Sequence, residues 1–442
     1  MTDNNDTQSR KMGLLLRQIK VLLLGKLVIS FLKFLIGVIT ARFLGVEGKG
    51  FYVAYTRLVN LWAHVFSFSL GEGMISLSGR KAYPRKDVLG LALIYSLICS
   101  TIACGLFAVA APIAANYISN LAVILESTLI LMIAIVSLIF MIFLTKFFQS
   151  LQLFSGYNYI SIINIVLQLC FITFGVFHWG ADFESILYLY TLALVLGALI
   201  ALGICLSVSG LPTFGAISDI WKATNYSLKL HALELPSLLE NQVDVLILLS
   251  LGGAAKVGVY SVGVALTQMS FYLVNAMNSA LFPFLSSWGK ESDARARATA
   301  LLCRLSILFF ICYIILAVLF GQFAINFIFG ELFSNAYFVM LALTPGILGE
   351  ICYRYMVTWH KGENEVNILA PIGICTLVLN ILLIPILYTS FDIVGVALAS
   401  SITYIIRSAI LIYLFQRKTG FPLSDILIVK KHDFEFLSKR AS

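Results

Sequence analysis

Long apolar runs separated by short polar stretches recur from one end of the chain to the other. A helix must supply about twenty apolar residues to cross a hydrocarbon core of roughly 30 Å, and successive runs meet that length. They are too long and too uniformly apolar for the alternating pattern of barrel strands, so helices are the spanning element they allow. The spacing predicts spans near 19–43, 51–79, 88–112, 121–147, 156–178, 185–208, 226–251, 257–286, 302–325, 337–359, 364–388 and 393–416. The expected fold is therefore an all-α membrane protein with about twelve transmembrane helices. Lys26 and Lys33 interrupt the first run and no small-residue cleavage pattern follows it, so it reads as a retained span rather than a signal peptide.

Composition strengthens this picture. Of the 442 residues, 60% are hydrophobic and 12% charged, against roughly 45–50% and 25% in ordinary soluble domains. Loop charge sets the expected orientation. Lysines and arginines crowd residues 10–17, 80–86, 222, 290–304, 361 and 417–440, whereas the alternate loops hold only Lys49 and Lys256. With twelve spans this bias puts both termini in the cytoplasm. Topology accounts for most of the formal charge of +8 and asks for no nucleic-acid partner. The eight cysteines fall in or beside apolar spans with no CxxC spacing, and read as small hydrophobes rather than metal ligands or a disulfide framework.

No stretch resembles a soluble domain. The link 209–224 divides the spans six and six, giving an expected N-terminal lobe 1–208, a C-terminal lobe 225–416 and a cytoplasmic tail 417–442. A weak echo crosses the link. Leu44-Gly45 through Gly50-Phe51-Tyr52 joins spans one and two, and Leu251-Gly252-Gly253 through Gly258-Val259-Tyr260 joins spans seven and eight. Both starting spans begin on the same side, so the halves would be parallel repeats.

The ionisable residues inside the spans are the candidate chemistry. A charge near the bilayer centre costs at least about 2.5–3.5 kcal/mol, so such residues face protein or a water-filled cavity. Span one carries Lys26 and Lys33 on one face; span two carries Arg57, Asn60, His64 and Ser67 on one stripe, with Glu72 close by. Span seven holds Lys229, His231, Glu234, Glu240, Asn241 and Asp244, with Pro236 as an expected kink. Span eight adds Gln268, Asn275, Asn278 and Ser279, and span twelve Arg407. Glu350 and Arg354 of span ten, at i and i+4, are expected to form a structural ion pair. Cations on several helices suggest a hydrated chamber for a phosphate-bearing ligand, with Lys26, Lys33, Arg57 and Arg407 as the binding residues. Glu240, Asp244, His64 and Glu72 are candidates for coupling or charge balance. No P-loop, H-E-x-x-H, G-x-S-x-G or G-x-G-x-x-G is present, so no enzymatic activity, metal or cofactor is expected and any energy comes from an ion or substrate gradient.

The stretch Ile39-Thr40-Ala41-Arg42-Phe43-Leu44-Gly45-Val46-Glu47-Gly48-Lys49-Gly50-Phe51-Tyr52, followed by Phe66-Ser67-Phe68-Ser69-Leu70-Gly71, resembles the opening hairpin of the polysaccharide-unit (O-antigen, Wzx-type) flippases of the MATE-like MOP exporter superfamily. Glu240-Asn241-Gln242-Val243-Asp244 and Ile393-Val394-Gly395-Val396-Ala397-Leu398-Ala399 are similar to that family too. The resemblance implies two six-helix lobes rocking about a central cavity in the bacterial inner membrane. It implies as cargo an undecaprenyl-diphosphate-linked oligosaccharide, for O-antigen lipopolysaccharide or another surface polysaccharide, with the prenyl tail left in membrane lipid. Proton or sodium coupling, and a polysaccharide polymerase and chain-length regulator as pathway partners, belong to the same implication. The chain lacks the two extra helices of the fourteen-helix lipid II flippases of that superfamily, which argues against a peptidoglycan precursor as cargo. Two other readings stand beside it: a MATE-type multidrug antiporter, which would favour an acidic, aromatic cavity, and a membrane-embedded polymerase, which would carry a sizeable outward loop with arginines.

Overall fold

A computed structural model of the protein describes residues 2–80, 83–117, 119–178, 180, 182–215, 220–271, 274, 292–363 and 365–429. Asn275, Asn278, Ser279 and the tail from residue 430 lie outside the described residues, as does the side chain of Asn241. The described chain is all-helical: α1 Thr2–Phe66, α2 Leu70–Arg80, α3 Arg85–Tyr117, α4 Ser119–Leu125, α5 Thr128–Ser150, α6 Phe154–His178, α7 Phe183–Ser209, α8 Ile220–Met269, α9 Ser292–Ile328, α10 Ala336–Gly362, α11 Leu369–Thr419 and α12 Leu423–Leu427. Among the described residues, nine helices are long and apolar enough to cross a membrane. Three of these, Leu24–Phe66, Thr224–Met269 and Leu369–Thr419, run to 43, 46 and 51 residues. Straight, each would measure roughly 65–75 Å, more than twice the hydrocarbon thickness.

Each long helix is broken near its middle. Gly45 (φ 68°, ψ −170°), Gly253 (φ 77°, ψ 177°) and Asp392 (φ 52°, ψ −138°) depart from helical geometry. At two of the three breaks, side-chain contacts show the chain doubling back. Lys49 Nζ donates to Gly37 O at 3.2 Å, although twelve residues of straight helix would separate them by about 18 Å. Asn380 Nδ2 likewise reaches Thr403 Oγ1 at 3.3 Å across the Asp392 break. The break in α8 lies at Gly253, while Pro236 keeps helical backbone angles. Span two also differs from the continuous element its apolar pattern predicts. It stops at Phe66 and resumes at Leu70, with Phe68 (φ 48°) and Ser69 (φ 51°) both left-handed. Such conformations cost an L-residue about 1–2 kcal/mol each.

The chain forms two compact units, Met1–Gly258 and Val259–Ser442. In the first, α5 is the buried centre: Leu131, Ile135, Ile139, Phe143, Leu144 and Phe147 are fully enclosed, and α1, α2, α3, α6 and α7 pack on it. Tyr55 ties span two to α7 through a 2.8 Å hydrogen bond to Thr191. In the second unit, α10 crosses the later half of α11 at small residues. Gly346 and Gly349 lie so close to Ser401, Tyr404 and Ile405 that a methyl group there would strike backbone, and Ser401 Oγ donates to Ala342 O at 2.6 Å. Close approach at small residues is how helices pack where lipid removes the hydrophobic drive. Outward faces are apolar: Ile315, Leu319, Phe323 and Phe327 of α9 are each more than half exposed. Water would not tolerate that surface, whereas hydrocarbon does. The chain is an all-α, multi-pass membrane protein.

Candidate functional site

The reversal at Gly45 positions a residue the loop-charge reading treated as peripheral. Lys49 is folded back under the hairpin, 5% exposed, with Nζ donating to Thr40 Oγ1 at 2.8 Å as well as to Gly37 O. Thr40 spends its own proton on Ile36 O at 2.7 Å, leaving its lone pairs for the lysine. The ring of Tyr52 lies 5.6 Å from the ammonium. An ammonium has three donors, and the two hydrogen bonds use neutral acceptors. Among the described residues no carboxylate lies within ion-pair distance of Lys49.

Arg57, on the next two turns of span two, lies within Coulombic reach of both Lys49 and Lys33. Its Nη1 donates to Gln242 Oε1 at 3.2 Å. Lys33 is exposed and also has no carboxylate within ion-pair distance among the described residues. The structure thus sets Arg57 near both Lys33 and Lys49. Lys26, exposed on α1, makes no hydrogen bond or ion pair among the described residues. The charge of Arg57 opposes that of each lysine, and an anion beside them would relieve that opposition.

The candidate acids divide. Glu72 pairs with Lys146 of α5. Glu240 is 7% exposed, and Asp244 Oδ1 accepts from Val245 N at 2.7 Å. Nδ1 of His64 is buried and has no hydrogen-bond partner among the described residues. Spans two and seven run antiparallel where they meet. A Cβ at Gly50 would strike Ala254 O, Arg57 meets Gln242 midway, and Ser69 Oγ lies 3.1 Å from His231 Nδ1 and 3.4 Å from Glu234 Oε2 at the far end.

In the second unit, Arg407 is 5% exposed and its guanidinium lies between the rings of Tyr353 and Tyr404, 4.4 and 4.3 Å from their centroids. Glu350 accepts a hydrogen bond from Arg407 on Oε2, and its Oε1 lies 2.9 Å from Arg354 Nε as an ion pair. Arg354 also covers the Phe271 ring at 4.7 Å. One carboxylate therefore serves two guanidiniums, and Arg407 is a packed, ion-paired group. Lys49, Gln242 and Ser69 are not among the binding or coupling candidates that the sequence offers. The Gly-Lys turn of the hairpin was the available signal for Lys49; Gln242 and Ser69 are ordinary polar residues until span seven is laid beside span two.

Comparison with known proteins places this arrangement in a family. The profile of a family described as "Polysaccharide biosynthesis protein" matches residues 15–288. The chain belongs to that family. No curated protein sequence matches it. Among solved structures it is similar to the lipid II flippase MurJ in an inward closed conformation, with TM-score 0.73, 16% identity and 95% of each chain covered. It is also similar to an inward-facing multidrug resistance MATE family transporter of the MOP superfamily, with TM-score 0.68, 13% identity and 88% of this chain and 94% of that one covered. A mutant of the Vibrio cholerae MATE transporter VcmN follows, with TM-score 0.62, 12% identity and 93% and 97% coverage. The fold is MurJ- and MATE-like.

Proposed function

We propose that the protein is a flippase that carries an undecaprenyl-diphosphate-linked oligosaccharide from the cytoplasmic to the periplasmic leaflet of a bacterial inner membrane by alternating access. The observation that carries this reading is the placing of Arg57 near both Lys33 and Lys49, neither of which has a carboxylate partner among the described residues. Lys33 and Arg57 hold the diphosphate, Lys49 joins them, and the prenyl tail remains in lipid. Charge-assisted hydrogen bonds from several cations suit a group with two or more negative charges better than a lipophilic cation. Lys26 serves the approach of the anion. Arg407 stays with Glu350 and contributes charge only if cargo displaces that carboxylate.

Membership of a polysaccharide biosynthesis family supports a sugar cargo, and the name of MurJ supports a lipid-linked one. Coverage of 95% of both chains leaves helix number a weak ground for setting this protein apart from a lipid II flippase. In the proposed topology the breaks at Gly45, Gly253 and Asp392 turn the three long helices into hairpins. Twelve spans result, with lobes 1–208 and 225–416 joined by 209–224 and both termini in the cytoplasm. Glu240 and Asp244 balance the cations when cargo is absent, and a proton or sodium gradient drives the cycle. A polymerase and a chain-length regulator would act downstream.

Titration of the purified full chain in lipid nanodiscs with inorganic pyrophosphate tests the site. Binding that is weakened at least tenfold by Lys33→Ala or Arg57→Ala is expected. Absence of pyrophosphate binding overturns the reading, and binding of a lipophilic cation such as ethidium in its place favours a drug antiporter.

A further inference from the structure

Beyond the contact of Arg57 with Gln242, the seam between spans two and seven changes chemistry. Glu234 is exposed although it lies inside an apolar span, and Ser237, one turn on, is exposed as well. Ser69 Oγ of span two lies 3.4 Å from Glu234 Oε2, so this face is turned along span two and not into hydrocarbon, where a carboxylate is expensive. On span two, Asn60 follows Arg57 by one turn. Its Nδ2 donates to Thr56 O at 2.6 Å, and its carbonyl oxygen makes no hydrogen bond among the described residues. The helical rise from Gln242 to Glu234 is about 12 Å.

The Ser69 end of this seam is held in one arrangement. Ser69 gives its hydroxyl hydrogen to Glu234, and a neutral His231 protonated on Nδ1 donates to the same oxygen at 3.1 Å, so imidazole, hydroxyl and carboxylate form one directed chain. Half-buried Phe68 sets its ring edge-on to that of His231, with centroids 5.7 Å apart. Phe68 and Ser69 are both left-handed, a conformation neither favours, and such strain persists where surrounding contacts fix a binding surface. At 3.4 Å the Ser69 contact is long for an O–H···O bond, and a carboxylate offers about four lone-pair sites, so Glu234 keeps capacity for stronger donors.

The polarity of this wall says what it suits. Lysine and arginine only donate, a carboxylate only accepts, and the hydroxyls of Ser69 and Ser237 and the amide of Asn60 do both. Sugar hydroxyls are donors matched to a carboxylate, and the charge-assisted bonds they make to it are of the strong kind. The C–H face of a hexose packs against an aromatic ring, here Phe68. A sugar carboxylate in the same place would meet like charge. We infer that the seam from Gln242 to Glu234 is a carbohydrate subsite for uncharged sugar rings next to the diphosphate. Its length takes about two hexose rings, so that with Arg57 on the diphosphate, Glu234 and Ser69 reach hydroxyls of the second ring. The inference rests on the transport reading above, whose cargo it narrows to repeat units that begin with neutral sugars.

Binding to the full chain in nanodiscs tests it with three probes. These are geranyl diphosphate, geranyl diphosphate carrying a glucose disaccharide, and the same ester with its outer ring oxidised at C6 to glucuronic acid. The neutral disaccharide should tighten binding about tenfold or more over geranyl diphosphate, the size of one charge-assisted hydrogen bond, and the acidic one should not. Glu234→Gln should remove about tenfold from the neutral-disaccharide affinity, end the discrimination against the acidic ring, and leave geranyl diphosphate unchanged. Ser237→Ala, a milder change on the same face, should remove about two- to threefold. A neutral disaccharide that adds nothing in the wild-type protein, an acidic one that binds as well, or an advantage that survives Glu234→Gln overturns the subsite. Geranyl diphosphate alone reads the anion site. Its failure to bind overturns the transport reading and this inference with it, whereas a disaccharide that adds nothing to a bound diphosphate overturns the subsite alone.

Discussion

Gly50 and Gly258 face each other's hairpin turns: a Cβ on Gly50 would strike Ala254 O, and one on Gly258 would strike Val46 O. The contact is reciprocal because one sequence interval separates Val46 from Ala254, Gly50 from Gly258 and Gly45 from Gly253, and both turn glycines share nearly the same backbone angles. The echo between the hairpins is thus a local two-fold relation between two turns. Gly50→Ala or Gly258→Ala should destabilise the protein by about 1–3 kcal/mol, because backbone rather than a flexible side chain must move. Gly105→Ala, inside α3 with nothing near its Cβ, should stabilise by up to about 1 kcal/mol, as alanine favours the helix over glycine. Thermal unfolding in nanodiscs measures both.

Lys49 separates a structural from an anion-binding role. Thr40→Val removes one of its hydrogen bonds and keeps the charge; Lys49→Gln removes the charge. If the lysine serves an anion, Lys49→Gln should weaken pyrophosphate binding about tenfold, whereas Thr40→Val should leave it intact or tighten it. A lysine that only braces the hairpin would give matched losses of thermal stability in both variants and unchanged pyrophosphate binding.

Glu350 serves two arginines of very different burial, so its neighbours should not be equivalent. Glu350→Ala removes the carboxylate from a buried guanidinium and should cost about 3–5 kcal/mol. The Arg354 side chain is 35% exposed, and Arg354→Ala should cost about 1 kcal/mol or less. Arg407→Lys should fall nearer the first, since an ammonium cannot stack as a plane between Tyr353 and Tyr404. Denaturation midpoints of the three variants check the order.

Beyond the membrane-spanning segments, Lys418 Nζ donates to Glu365 Oε1 at 2.5 Å and His360 Nδ1 lies 3.0 Å from Oε2. The lysine contact, with a smaller contribution from His360, holds the Glu365 carboxyl below its ordinary range. A lowered folded-state value means the link is fully present above the ordinary carboxylate range and is lost as pH falls through the lowered value. Exchange protection of the Glu365 amide, which donates to His360 O at 2.9 Å, should therefore drop on acidification below about pH 4. Lys418→Met should move that drop to higher pH.

What the sequence made legible follows from the range of each signal. Lys33 and Arg57 stand out because a charge in an apolar run is conspicuous whatever surrounds it. Arg354 beside Glu350 follows from helix geometry, whereas the second claim on Glu350, by Arg407, crosses between helices and has no local trace. Lys49 reads as a loop lysine until the left-handed turn at Gly45 folds it inward. The break at Phe68 and Ser69 defies local propensity, having neither glycine nor proline, and only His231 and Glu234, far along the chain, make sense of it. Hydropathy gave the spans, and the hairpin breaks gave the joints between them.

Native mass spectrometry of the full chain released gently from its own membranes tests the central claim most directly. The account expects a bound species with the mass of a polyprenyl diphosphate bearing sugars on the wild-type protein, absent from a folded Lys33→Ala/Arg57→Ala double variant. A wild-type protein carrying no such lipid, or a double variant that retains it fully, would contradict the account.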